Sequence, residues 1–174
     1  NHVALIRRVS AANPNVAVVL SCGSVVNLDW ADSAKSILLG YLGGQASGGA
    51  IADVVSGKVC PGGKLAESWP LQLDDTPSRD YFPGYTRTVE YRESIFVGYR
   101  YFDMAKRSVR YPFGHGLSYT TFAYSNLQLD AAALDGDPPL HLSLDVTNTG
   151  DCAGAEVVQL YVSHKSDVMF TAEQ

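Results

Sequence analysis

"VAVVLSCG", residues 16–23, is a continuous apolar run rich in valine that closes on a small-residue turn. A strand that is apolar on both faces is usual in parallel sheets covered by helices, whereas a half-solvated strand alternates. The run therefore places the first part of the chain in the α/β class. Upstream, "HVALIRRVSAA" sets Leu5, Ile6 and Val9 on one helical face, and "NPN" at Asn13–Asn15 breaks the helix. Downstream, "SILLGYL" reads as a second apolar strand ending at Leu42. "GGQASGG" then leads into "AIADVVSG", where Ile51, Val54 and Val55 have helical spacing and Gly57 supplies a stop. After "CPGG", "KLAESWP" reads as a third short strand. Residues 1–69 thus predict a partial open parallel sheet with helices.

Residues 70–121 differ in kind. Of the 18 aromatic residues, 13 lie between Tyr81 and Tyr124, interleaved with proline, glycine and arginine. The segment predicts a long irregular connection packed on the α/β part, with one strand at "SIFVGYRYF", where Ile95, Val97, Tyr99 and Tyr101 alternate with Phe96 and Arg100. From Phe122 the period is two. Leu140, Leu142, Leu144 and Val146 share one face, Val158, Leu160 and Val162 another, and "NTGDCAGA" turns between them. This is the pattern of an antiparallel β-sandwich, about half of one over residues 122–174. The chain starts at Asn1, not methionine, and stops after an apolar stretch, so it is read as a piece of a longer protein whose remaining strands lie beyond Gln174.

The totals exclude several classes. The longest apolar run, Val16–Leu20, is too short to cross a bilayer, so no membrane role is expected. A net charge of -5 with arginines interleaved among acids argues against nucleic acid. Cys22, Cys60 and Cys152 are far apart and form no C-x-x-C pair, which signals neither a zinc site nor a disulfide framework. Their odd number leans towards a reducing compartment, which favours a cytoplasmic location over a secreted one.

Each candidate for chemistry has a plainer structural reading. "GYLGGQASGGAIADVV" sits between strand and helix but lacks the G-x-G-x-x-G order and G-K-[ST], and Asp53 falls inside the helix, so close packing is preferred over a nucleotide site. Asp32, Asp53, Glu67, Glu90 and Glu93 show no spacing that specifies the pair of carboxyls, about 5–10 Å apart, that a glycosidase needs. Single acids are more often caps or arginine partners, and "EYRESIFVGYR" supplies Arg92 and Arg100 near Glu93. His115, between Gly114 and Gly116 in "YPFGHGLSYTTF", lacks a nucleophile elbow and is read as structural. His2, His141 and His164 form no metal-spaced pair. The aromatic band could stack on sugars, but core and interdomain packing is the plainer reading.

In order, "YLGGQASGGAIADVVSGKVCPGGKLAESWP" (41–70), "RESIFVGYRYFD" (92–103), "YPFGHGLSYTTF" (111–122) and "VTNTGDCAGAEVVQLYV" (146–162) resemble the C-terminal half of glycoside hydrolase family three, the β-glucosidase type. The resemblance implies a multidomain retaining exo-glycosidase that removes terminal non-reducing β-D-glucosyl residues without a cofactor or metal. It implies a barrel-like first domain with an aspartate nucleophile, an α/β sandwich with an acid/base glutamate, and a fibronectin type III-like domain. Neither carboxylate maps here. "LDWADSAK" holds Asp29 and Trp30 but matches a structural segment, and the E-G-x-D-R segment of the glutamate is expected upstream of Asn1. Ser94 departs from the family's usual glycine or aspartate. The β-glucoside or oligosaccharide substrate would be held mainly by the missing N-terminal domain, and this piece would be a scaffold without catalytic residues. The rival readings are a non-catalytic carbohydrate-binding or cell-surface module and a nucleotide-binding α/β domain.

Overall fold

Helix α1 (His2–Ala12) is capped by Asn1, whose side-chain oxygen accepts from the Ala4 amide at 3.3 Å, and it ends where Asn13 becomes extended. The computed structural model describes residues 1–84, 87–130 and 140–162. The Asn13 side chain accepts from the Asn15 amide at 2.8 Å, turning the chain into β1 (Ala17–Leu20). β1 pairs in parallel with β2 (Ser36–Leu39), Val18 opposite Ile37 and Leu20 opposite Leu39. The crossover between them carries only a 3-10 turn, Ala31–Ser33. Asn27 organises it, its side chain accepting from the Asp29 amide at 2.9 Å and its carbonyl from the Trp30 indole at 3.1 Å. That turn delivers Leu28, Trp30 and Ala31 into a core completed by Trp69, with Val3, Ile6, Val18, Leu20, Ile37 and Leu39 packed around it.

The helical face of α1 is shifted from the expected one. Val3 and Ile6 meet the core, while Leu5 stays 61% exposed. β2 also stops earlier than the apolar run, because Tyr41 takes φ +45 and turns the chain away. Helix α2 (Ser47–Val55) comes next, and Gly57 at φ +78 ends it as expected.

Two predicted strands are corrected. "KLAESWP" does not add to the parallel sheet. Its backbone is captured by the later chain instead, with Leu65 N–H donating to His115 O and Gly114 N–H to Leu65 O, each at 2.8 Å. Its strand, β3 (Trp69–Pro70), pairs antiparallel with β4 (Val109–Tyr111). "SIFVGYRYF" is not a strand but a turn followed by helix α3 (Tyr99–Met104). Ser94 at φ +52 and Gly98 at φ +58 break the extended path, so the apparent alternation spans two different conformations. On the helix, Phe102 is buried.

β5 (Phe122–Leu129) and β6 (Leu142–Asn148) form an antiparallel pair, Phe122 opposite Asn148 and Leu129 opposite Leu142. The register shifts between Ser125 and Gln128, where Asn126 takes φ +53 and its amide donates to Asp145 at 2.6 Å. Leu142 and Leu144 turn to one side in the expected alternation. "EVVQLYV" is corrected: residues 156–162 join no strand ladder among the described residues and are held by side-chain contacts. The molecule is thus α/β first and part of an antiparallel sandwich after. The expectations for His164 and the last residues of the chain fall outside the described residues.

Candidate functional site

The most heavily bonded region is where the turn after α2, the "YPFGHGLSYTTF" segment and the chain after β6 meet. Lys64 extends across it, donating to Gly116 O at 2.8 Å and pairing with Glu156 at 3.2 Å. Their side chains are only 14% and 13% exposed, so the pair is shielded from solvent. Gln159 donates from Nε2 to Gly114 O at 3.0 Å. Gly114 has φ +79, and a side chain there would run into the Gln159 amide, so conformation and space both require glycine. A Cβ on Gly116 would likewise strike the Gly63 carbonyl.

Aromatic rings close the same junction from one side. Tyr99 lies 5.0 Å from Phe113 and 5.6 Å from Tyr161, the latter edge-on. The His115 ring stacks on Tyr111 at 4.9 Å with an interplanar angle of 21°. Burial, then the nearby Lys64 charge, hold the imidazole below its ordinary pKa. No hydroxyl, thiol or carboxylate is hydrogen-bonded to this ring among the described residues. A neutral, stacked imidazole whose backbone carbonyl receives Leu65 N–H is built to hold the segment.

The carboxyl ends of the parallel strands, where open α/β sheets commonly bind ligands, carry a second cluster. Tyr41 donates its hydroxyl to Glu67 at 2.9 Å, and Ser21 donates to the Tyr41 carbonyl at 3.1 Å. Burial, then the Glu67 hydrogen bond, push the phenol above its usual range, so it stays protonated. The Trp69 indole N–H is buried next to the Tyr41 hydroxyl and makes no hydrogen bond of normal geometry.

The other sequence candidates are dispersed. Asp32 makes a two-oxygen pair with Arg110, and that hydrogen bond, then the guanidinium charge, hold its carboxyl below the carboxylate range. Asp53 meets Lys58 at 2.9 Å, and Glu90 pairs with Arg92. Arg92, expected beside Glu93, is therefore taken by Glu90 and lies over the Tyr81 ring at 4.7 Å. Asp29 pairs with Arg7 at 3.3 Å. Among the described residues no three histidine, cysteine, aspartate or glutamate side chains cluster as metal ligands. No described helix is long and apolar enough to cross a membrane.

Residues 1–119 match the family described as "Glycosyl hydrolase family 3 C-terminal domain". The chain belongs to that family. Its similarity to curated family proteins extends past the matched part. It is 49% identical over 162 residues to "Thermostable beta-glucosidase B" of Acetivibrio thermocellus, covering 93% of this chain and 22% of that protein. It is 48% identical over 168 residues to "Exo-alpha-(1->6)-L-arabinopyranosidase" of Bifidobacterium longum, covering 95% and 22%. The chain therefore spans about a fifth of the length of these relatives. Among solved structures it resembles the GH3 beta-glucosidase of Bifidobacterium adolescentis, with TM-score 0.80 and 48% identity over 87% of this chain and 22% of that one. Beta-glucosidase 3B of Thermotoga neapolitana gives TM-score 0.80 at 40% identity, over 88% and 22%. As a family 3 C-terminal domain, the chain has its best-built site at the junction, and sequence reasoning did not single out Lys64, Glu156 or Gln159. The signal was present: "GGKLA" and "GAEVV" each isolate one charge among small and apolar residues.

Proposed function

We propose that the protein containing this chain hydrolyses terminal, non-reducing β-D-glucosyl residues with retention of configuration. An aspartate attacks the anomeric carbon while a glutamic acid protonates the leaving oxygen, and water then resolves the glycosyl-enzyme. Both carboxylates come from sequence preceding Asn1. In this reading residues 1–69 are the last part of an α/β sandwich, 122–174 begin a fibronectin type III-like domain, and 70–121 connect the two. The chain is a scaffold that fixes one domain against the next through the Lys64–Glu156 and Gly114–Gln159 contacts.

The observation that carries the reading is the kinship of more than nine-tenths of the chain to proteins named as glycosidases. The geometry agrees with it, because Asp32, Asp53, Glu67 and Glu90 each already hold a structural partner. The test is proton NMR of the full-length protein acting on an aryl β-D-glucoside. β-Glucose as the first-formed anomer supports the proposal. α-Glucose first, or no hydrolysis, overturns it, and hydrolysis of only an aryl α-L-arabinopyranoside would replace the sugar.

A further inference from the structure

Cys60 and Cys152 lie 92 positions apart in sequence and meet at the junction. The Cys60 sulfur is 3.0 Å from the Ser118 hydroxyl. A Cβ on Gly154 would lie 3.3 Å from that sulfur, so Cys60 packs directly against the turn that begins at Cys152. The Cys152 thiol lies near enough for each sulfur to influence the ionisation of the other. Asn148 clamps the turn, donating from Nδ2 to Cys152 O at 2.9 Å and accepting on Oδ1 from Gly150 N–H at 3.0 Å and Thr120 Oγ1 at 2.6 Å. Thr120 is buried, so Cys152 is tied to the segment that runs from Ser118 into β5. Both thiols are free; Cys60 is partly exposed and Cys152 exposed.

We infer that Cys60 and Cys152 form an oxidisable pair whose disulfide locks the α/β part of the chain to its β-sandwich part. The two sulfurs are unequal. The Ser118 hydrogen bond, helped by backbone N–H groups of Tyr119 and Thr120, holds Cys60 below the ordinary thiol range, whereas burial, then the Cys60 charge, push Cys152 up. Cys60 is accordingly the first nucleophile. Its thiolate attacks a sulfur of a small disulfide such as oxidised glutathione, forming a mixed disulfide and releasing one glutathione thiolate. The Cys152 thiolate then attacks the Cys60 sulfur and releases the second. The two cysteines lose two electrons, the small disulfide gains them, and the two thiol protons end on the released glutathiones. The cross-link closes a loop of about 90 residues, long enough to restrict the unfolded chain. This inference does not depend on the glycosidase reading.

The test uses the full-length protein equilibrated in glutathione buffers, alkylated, digested with trypsin and read by mass spectrometry. Cleavage after Lys58 and Lys64 releases residues 59–64. The expected product in oxidised buffer is that peptide linked to the Cys152 peptide, with a mass about 2 Da below the sum of the two, while Cys22, set against the core, stays alkylated as internal control. Cys152→Ser should leave Cys60 as a glutathione adduct, and Ser118→Ala should slow alkylation of Cys60 several-fold. The proposal is overturned if Cys60 and Cys152 remain alkylated to the same extent as Cys22. It is equally overturned if both end as separate glutathione adducts.

Discussion

Gly114 is the residue on which the junction turns, since its φ of +79 and the Gln159 amide leave no room for a side chain. Gly114→Ala should cost about 1–3 kcal/mol, from left-handed strain and displacement of Gln159, read by denaturant unfolding of the full-length protein. His115 carries a pH dependence whose sign is set by its environment. Its folded pKa is lowered, so below about pH 6.5 the unfolded chain binds the proton first and stability falls with acidification until the folded pKa is passed. His115→Asn should remove that acid limb from the melting temperature between pH 7.5 and 5.5 while leaving the pH profile of turnover in place. A turnover profile that loses a limb at unchanged stability would make His115 catalytic. The Asp32–Arg110 pair has the same sign in a more acidic window: its contribution is present above the normal carboxylate range and fades as pH falls through the lowered Asp32 pKa.

At the scale of elements, the Lys64–Glu156 bridge and helix α3 decide how the last strands attach. Glu156→Ala leaves Lys64 poorly solvated and should cost about 2–4 kcal/mol, whereas Lys64→Met with Glu156→Leu should cost less than the two single changes together. Phe102→Ala, which empties a site 6% exposed, should cost about 3–4 kcal/mol. The same elements mark the boundary of what the sequence makes legible. α1, β1, β2, α2 and β6 are signalled by valine runs, helical spacing and alternation, which are local. α3 is obscured because aromatic residues on both sides of Gly98 mimic a period of two. The pairing of β3 is hidden because its partner, β4, lies about 40 residues on, and register between distant segments leaves no local trace. "EVVQLYV" has the composition of a strand, but strand pairing needs a neighbour, and none is present among the described residues.

Among the described residues, the two-stranded parallel sheet and the antiparallel pair of β5 and β6 both present open edges and apolar faces. Tyr124, Leu127, Leu142 and Leu144 line an open groove of about 650 Å³ together with residues 156–161. The isolated chain should accordingly melt broadly, at lower temperature than the same region within the full-length protein; a sharp melt at high temperature would contradict this. The candidate site is legible only through the ordered motifs of family 3. The residues that build the junction come from three distant stretches, and only the fold places Lys64 against Glu156 or Cys60 beside Cys152.

The proposal that this chain is the scaffold of a glycosidase and carries neither catalytic carboxylate is tested by one assay. Purified 174-residue chain and full-length protein are compared, at matched concentration, for release of nitrophenol from 4-nitrophenyl β-D-glucopyranoside. The account predicts turnover by the full-length protein and none by the isolated chain above the uncatalysed rate. Measurable turnover by the isolated chain, abolished by replacing one of its own carboxylates, would contradict it.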